Sequence, residues 1–337
     1  MAEVNDITFD AFAKGVVAGY EASTRLANAI QPSHKKRGYH ATATCGMIGV
    51  TVGVSAMLGY NRRELKNSFS VALASTHGTL KVLEDNSELK PYNVAMAAKD
   101  GVEAALVGRL FEGPDDPLEG YAGFFSQTTD MVDYAQLLNG FGDQYCIENV
   151  YTKPYAACRY CHPSIENALK IREKEPIDID DIEEINIRTY SLAVNNHDST
   201  MVSNVSAAKM SIPFATAITF CKGSASVDAY TDESVNDESV KWLMRKVKVE
   251  ADNDFSAAFP RLSIATMEVK LSDGRVFKSR TDQPKGEAAY PMSDAEIKEK
   301  FISLAIWSGM DEEKAKMIAD KVINKNFEIK KLVEHLT

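Results

Sequence analysis

The chain has 337 residues, 45% hydrophobic and 26% charged, with a formal net charge of −10, a balance that leaves room for two domains and a sizeable core. The only basic cluster is HKKRG at 34–38; without a Lys/Arg stripe, nucleic acid is not an expected partner. No apolar run reaches membrane-spanning length, and the acidic, amphipathic opening lacks the basic start and apolar centre of a signal peptide, so a cytoplasmic protein with no membrane partner is expected.

Residues 7–30 carry Phe9, Phe12, Val16, Val17, Tyr20 and Leu26 at helical spacing. Residues 42–58, TATCGMIGVTVGVSAML, are small and apolar on all sides. That predicts a helix buried all round, which Gly and Ala let its neighbours approach closely. Gly59 ends it, and Asn61 is placed to cap the next helix. PYNVAMAAKDGVEAALVGRLF, 91–111, reads as an alanine-rich helix with Pro91 in its first turn. The first 145 residues thus read as helical.

The pattern changes near 149. NVYTKPYA is strand-like, SIENALKIREKE helical, and IEEINIRTYSLAV alternates as a strand does. SAAKMSIPFATAITFCKG reads as one helix with Pro213 near its start, and VKWLMRKVKVEAD as a helix running into a strand. LSIATMEVKLSDGRVFKSR predicts a hairpin around Ser272-Asp273-Gly274. Helical pattern returns from SDAEIKEKFISLAIWSG to the end, and this tail is expected to pack back on the first domain. The expected organisation is a discontinuous helical domain, 1–148 with 284–337, and an α+β domain, 149–283.

Three places combine ionisable side chains with backbone punctuation. His40 follows Gly38 and Tyr39 and precedes the buried helix, where a helix N-terminus favours the neutral imidazole suited to proton transfer. Lys90 precedes the helix that opens with Pro91, a setting for a carboxylate or phosphate, with Glu84 and Asp85 near enough to pair with it. In KPYAACRYCHPSIENAL, 153–169, Lys153, Arg159 and His162 gather before a helix as a cradle for a polycarboxylate, Arg as a bidentate fork and Lys as a point charge.

That same stretch spells Cys158-Arg159-Tyr160-Cys161-His162, the spacing that attaches a c-type haem. Haem attachment needs export, and structural zinc needs a second Cys pair, which the sequence does not have. An odd number of cysteines (Cys45, Cys146, Cys158, Cys161 and Cys221) argues against a disulfide framework. A redox pair ahead of a helix is the other cysteine reading; the one adopted is that the stretch places other side chains. No metal, haem or organic cofactor is expected.

The sequence resembles the MmgE/PrpD family, which includes 2-methylcitrate dehydratase, cis-aconitate decarboxylase and iminodisuccinate epimerase. The matching stretches are VAGYEASTRL, GYHATATCGMIGV, LEDNSELKPYNVAMAAKDGVEAAL, EGYAGFF, KPYAACRYCHPSIENAL, AAKMSIPFATA and PKGEAAYPMSDAEIKEKF, in family order over nearly the whole chain. The resemblance implies a large all-helical domain with an inserted smaller α+β lid domain. It implies His40 as the active-site histidine of the G-[FY]-H motif and Lys90 as the lysine before the alanine-rich helix. Lys153 and His162 become the lysine and histidine of the K-P-Y motif, and Phe214 replaces a common tyrosine. The implied chemistry is proton abstraction next to a carboxylate of a small di- or tricarboxylate, catalysed by His40, His162 and Lys153. Lys90, Lys153 and Arg159 would bind substrate, and His40, Lys90, Lys153 and His162 are expected to converge on one cleft. Dehydration, epimerisation and decarboxylation share a carbanion-like intermediate; a non-catalytic partner subunit is the alternative from another class.

Family members carry a helical segment with an active-site Asp and His ahead of the VAGYE helix. Against that pattern the expectation is that another subunit supplies the segment, that the active site is incomplete, or that the chemistry differs. The expectation is an oligomer, either a homodimer or a complex with a helical chain that brings the segment. FDAFAKGVVAGYE and helix 42–58 would form its apolar face. A purified preparation is expected to show no Soret band and no stoichiometric zinc by elemental analysis.

Overall fold

Four long helices build the first of two units in the computed structural model, which describes residues 1–2, 4–83, 87–325 and 327–336. This unit comprises 1–150 with 324–337. Helix α1 (Phe9–Ile30) starts where the Thr8 side chain accepts from the Ala11 N–H. Helix α2 (Ala41–Met57) lies against it at glycine distance. A Cβ on Gly49 would stand 2.6 Å from the Ser23 Cβ and 2.7 Å from the Gly19 oxygen, and one on Gly53 would stand 2.7 Å from the Gly15 oxygen. Helix α3 (Arg62–Ser75) opens with a capping box between Asn61 and Glu64. Helix α4 (Lys90–Val107) has its proline in the first turn and crosses α2 at Gly101, whose carbonyl accepts from the Thr51 hydroxyl at 3.0 Å.

Cys45, Met47 and Ile48 of α2 are almost wholly buried, and beyond Thr42 no residue of the helix is exposed. The sequence places an exposed apolar face on this segment. The structure corrects that for α2, because α1, α3 and α4 cover it within the unit. Phe9 and Tyr20 of α1 do reach solvent. Among the described residues this unit has no strand, only an isolated bridge between Tyr39 and Thr79. The C-terminal helix Ile329–Leu336 belongs to it, and Phe327 meets Phe9 edge-on with ring centroids 5.4 Å apart.

The second unit, 151–323, holds a four-stranded mixed sheet. Helix α5 (His162–Lys174) leads to strand β1 (Ile182–Thr189), then helices α6 (Ile212–Lys222) and α7 (Glu238–Met244), strand β2 (Val247–Ala251) and the hairpin β3 (Ala265–Leu271) and β4 (Val276–Thr281). The order is β2-β1-β3-β4, with β1 parallel to β2 and the other pairs antiparallel. Ile187 sits opposite Val249 on one side and Met267 on the other. The hairpin turns at Gly274, whose φ of +87° suits a residue without a Cβ. Ile165, Ile185, Ile187, Phe214, Ile218, Leu243 and Met267 share the core.

Three segments depart from the sequence pattern. NVYTKPYA forms no strand: Pro154 has no N–H for a ladder, and the segment is tied down piecemeal instead. The Thr152 N–H donates to Gly286, Ala156 to Ala225 and Cys158 to Lys209, at 2.8, 2.9 and 2.7 Å. SAAKMSIPFATAITFCKG splits into Val205–Ala208 and α6, where Ser211 caps the second piece. Helices α8 (Asp294–Trp307) and α9 (Glu312–Ile323), grouped with the helical domain in the sequence reading, fall in the second unit.

The glycine contacts between α1 and α2 have a direct consequence. Gly49→Ala should destabilise the chain by about 1–3 kcal/mol through overpacking. Gly46→Ala, where a Cβ would meet nothing within 4 Å, should be neutral or stabilise by up to about 1 kcal/mol. Urea midpoints of the two variants measure the difference.

Candidate active site

His40 immediately precedes α2 and is 8% exposed. Its backbone N–H donates to the Gly78 carbonyl at 3.1 Å. Gly78 allows the approach: its φ is +120°, and a Cβ there would lie 2.2 Å from the Ala43 Cβ. The Asn93 amide, in the first turn of α4, donates to His40 Nδ1 at 3.2 Å. That partner assigns the ring proton to Nε2. Burial, then the nearby Lys90 charge, hold the imidazole below its ordinary pKa.

Lys90 is the first residue of α4 and is exposed. Glu84 and Asp85, its expected neighbours, lie outside the described residues. Behind His40 stands His34, wholly buried, with Nε2 3.0 Å from the Thr44 hydroxyl and its ring stacked on Tyr39. Burial, and after it His40, push its pKa down to about 4.

The second unit gathers Lys153, Arg159 and His162. The Lys153 ammonium lies 3.5 Å from the Ala157 carbonyl oxygen, and His162 Nε2 donates to the same oxygen at 3.3 Å. His162 opens α5, is fully buried and meets Tyr155 edge-on with centroids 5.1 Å apart. Its Nδ1 has no hydrogen-bond partner among the described residues. Burial first, then Arg159, and more weakly Lys153 and Lys300, press its pKa down to about 3. Arg159 pairs with Glu287 and lies over the Tyr151 ring at 5.1 Å, while its Nη1 is buried without a partner among the described residues. Lys300 comes from α8, and burial lowers its pKa.

The sequence-named residues therefore form two clusters, His40 with Lys90 and Lys153 with Arg159 and His162, each within its own unit. Sequence reasoning missed His34, Asn93, Lys300 and Glu287. Asn93 sits three residues after Lys90, and Glu287 lies in the family stretch PKGEAAYP; both were within reach of a reading of the motifs. Lys300 carries no such signal. Chemically, the second cluster sets three cations around a neutral imidazole, an environment for carboxylate groups. The first offers a neutral imidazole with a defined tautomer, suited to moving a proton. Among the described residues, no three His, Cys, Asp or Glu side chains come together to hold a metal ion.

His34 and His162 stay neutral in the fold and would protonate in the unfolded chain below about 6.5. The unfolded state then binds more protons, so their contribution is whole above that pH and is lost as pH falls towards about 4 for His34 and 3 for His162. His162→Gln should remove part of this acid limb. Between pH 6.5 and 4.5 the variant should lose less stability than wild type, by on the order of 2 kcal/mol, read from urea midpoints across the range.

Comparison with known proteins adds the family. Residues 2–136 match the MmgE/PrpD N-terminal domain and 155–325 the MmgE/PrpD C-terminal domain. The chain is similar to human (Homo sapiens) cis-aconitate decarboxylase, 24% identical over 84% of this chain and 60% of that protein. It is also similar to the mouse (Mus musculus) cis-aconitate decarboxylase, 23% identical over 78% of this chain and 54% of that one. A mitochondrial 2-methylcitrate dehydratase of Yarrowia lipolytica is 26% identical over 68% of this chain and 46% of its own length. The matched regions thus span about half the length of these relatives. With both domain families matched in order along nearly the whole chain, it belongs to the MmgE/PrpD family.

Proposed function

We propose that this protein is a lyase that binds a small tricarboxylate and moves a proton next to one of its carboxylates. The observation that carries the reading is the set of cations around His162: Lys153, Arg159 and Lys300, the first two held on a pinned segment. Family membership supports it, since the relatives are named for cis-aconitate and 2-methylcitrate. The cations would neutralise the substrate carboxylates and the enediolate that forms when a Cα proton leaves. His40, neutral and carrying its proton on Nε2, would serve as the general acid or base, and Lys90 would add a carboxylate contact. His162, fully buried, would act by fixing the Ala157 carbonyl and with it Lys153. From the enediolate, expulsion of a hydroxide completes a dehydration. In a decarboxylation the bond to a carboxylate carbon breaks, carbon dioxide leaves, and the carbanion that keeps the electron pair takes up a proton.

The reading includes an oligomer. Ile297, Leu304, Ile306 and Trp307 of α8 are exposed apolar side chains on one helix, of the kind that subunit interfaces cover. A homodimer is the form proposed, with a complex containing a second helical chain as the other; light scattering and native mass measurement distinguish them.

The test is turnover of cis-aconitate and of 2-methylcitrate by the purified chain, followed by proton NMR. One of the two should be consumed. Lys153→Ala should lower kcat/KM by about 100-fold, chiefly by raising KM, whereas His40→Gln should lower kcat by about 100-fold or more. A double-mutant cycle on the two residues reads whether both clusters serve the same reaction. Wild-type turnover by His40→Gln would remove the proton-transfer role.

A further inference from the structure

One nucleophile in the second unit has no part in the proposed chemistry. Cys158 is half-buried, and its sulfur lies 3.5 Å from His197 Nε2. His197 is 7% exposed, and its Nδ1 donates to the Asn195 carbonyl at 2.7 Å. That bond places the ring proton on Nδ1 and leaves Nε2 bare, facing the thiol. A nucleophile, a base and a group that orients the base are the three parts of an activated thiol.

Both partners are held by backbone. The Cys158 N–H donates to Lys209 at 2.7 Å, and the His197 carbonyl accepts from Ile212 at 2.7 Å. Tyr160 packs edge-on to the imidazole with centroids 5.0 Å apart. Tyr151, Tyr160, Tyr190, Lys153, Arg159 and Cys161 are the other titratable groups around this pair, and Cys158 contributes, after burial, to raising all three phenols.

Cys161 completes the arrangement. Its N–H donates to the Cys158 carbonyl at 2.9 Å, closing a four-residue turn. Such a turn brings the two Cα atoms within about 7 Å, and disulfides span Cα separations of about 4.4–6.8 Å. Cys161 is wholly buried, and burial pushes its thiol pKa well up. It is the protected member of the pair, and Cys158 is the one that an oxidant meets.

We propose that Cys158 is a thiol activated by His197, that peroxide oxidises it, and that Cys161 resolves it as an intramolecular disulfide. His197 Nε2 takes the Cys158 proton and the sulfur attacks hydrogen peroxide. The O–O bond breaks, giving Cys158 sulfenic acid and a hydroxide that recovers the proton as water. The Cys161 sulfur then attacks the sulfenic sulfur, a second hydroxide leaves, and the Cys161 proton makes it water. Two thiols are oxidised by two electrons, one peroxide is reduced, and two waters form.

The test uses the intact chain and no carboxylate substrate, so it stands or falls apart from the lyase reading. Cys146 and Cys221 are half-buried references whose thiol pKa values are raised, mainly by burial. At pH 7.5, iodoacetamide should label Cys158 at least about 10-fold faster than either reference. His197→Asn should remove most of that advantage and move the pH midpoint of labelling upward. After one equivalent of peroxide, the tryptic peptides on either side of Arg159 should remain joined until reduction. In Cys161→Ser, dimedone should label Cys158. Should Cys158 in the wild-type chain label no faster than Cys146, or should peroxide leave the two peptides separate, the proposal is wrong, whatever the variants do.

Discussion

The chemistry of the second unit depends on holding still a length of chain that is neither helix nor strand. Residues 151–158 are anchored by single backbone hydrogen bonds to three distant places in the sequence, Gly286, Ala225 and Lys209. The closest approach is at Gly286, where a Cβ would fall 1.8 Å from the Thr152 carbonyl oxygen and where φ is +92°. Only glycine meets both conditions. From this tether follow the position of Lys153, the shared use of the Ala157 carbonyl by Lys153 and His162, and the turn that carries Cys158 and Cys161. Loops pinned by a rigid scaffold are where functional side chains are best placed, and the sheet with α5 and α6 supplies that scaffold here.

The first unit solves the same problem with close helices. Glycines at 15, 49, 53 and 101 let backbones meet at distances a side chain would forbid. The N-terminus of α2 is thereby fixed against α4, and Asn93 of α4 reaches the ring of His40. A dense packing contact thus becomes a choice of tautomer. A donor on Nδ1 leaves the proton on Nε2, and the reactive nitrogen is decided by the neighbour rather than by the histidine itself.

Much of this was legible in the sequence where local physics decides. The all-round apolar pattern of 42–58, the Asn61 cap, Pro91 in a first turn and the hairpin at Gly274 each rest on a few adjacent residues, and each appears as read. NVYTKPYA has β-favouring residues but forms no strand, because Pro154 withholds an N–H and the backbone bonds go singly to Gly286, Ala225 and Lys209, partners set by tertiary structure. Residues 284–323 were assigned to the helical domain because a helical pattern does not say what the helix packs on. The site divides in the same way. His40, Lys90, Lys153, Arg159 and His162 stand beside backbone signals or in family motifs, whereas Lys300 and His197 reach their neighbours only through the fold.

The charge balance of the molecule then takes on a meaning that composition alone does not give. A chain with a net charge of −10 should repel a polycarboxylate. At physiological salt, however, exposed charges are screened beyond roughly 8 Å, so the general surface charge sets little of what a substrate meets at contact. What matters there is the local sum. Protonating His162 would add a fourth positive charge to Lys153, Arg159 and Lys300 in a buried place, and the fold resists this by pressing the imidazole pKa down to about 3. Keeping the histidine neutral spares the three cations a fourth, repelling neighbour. Arg159 pairs with Glu287, so the field at His162 is set by these few neighbours rather than by the net charge of the chain.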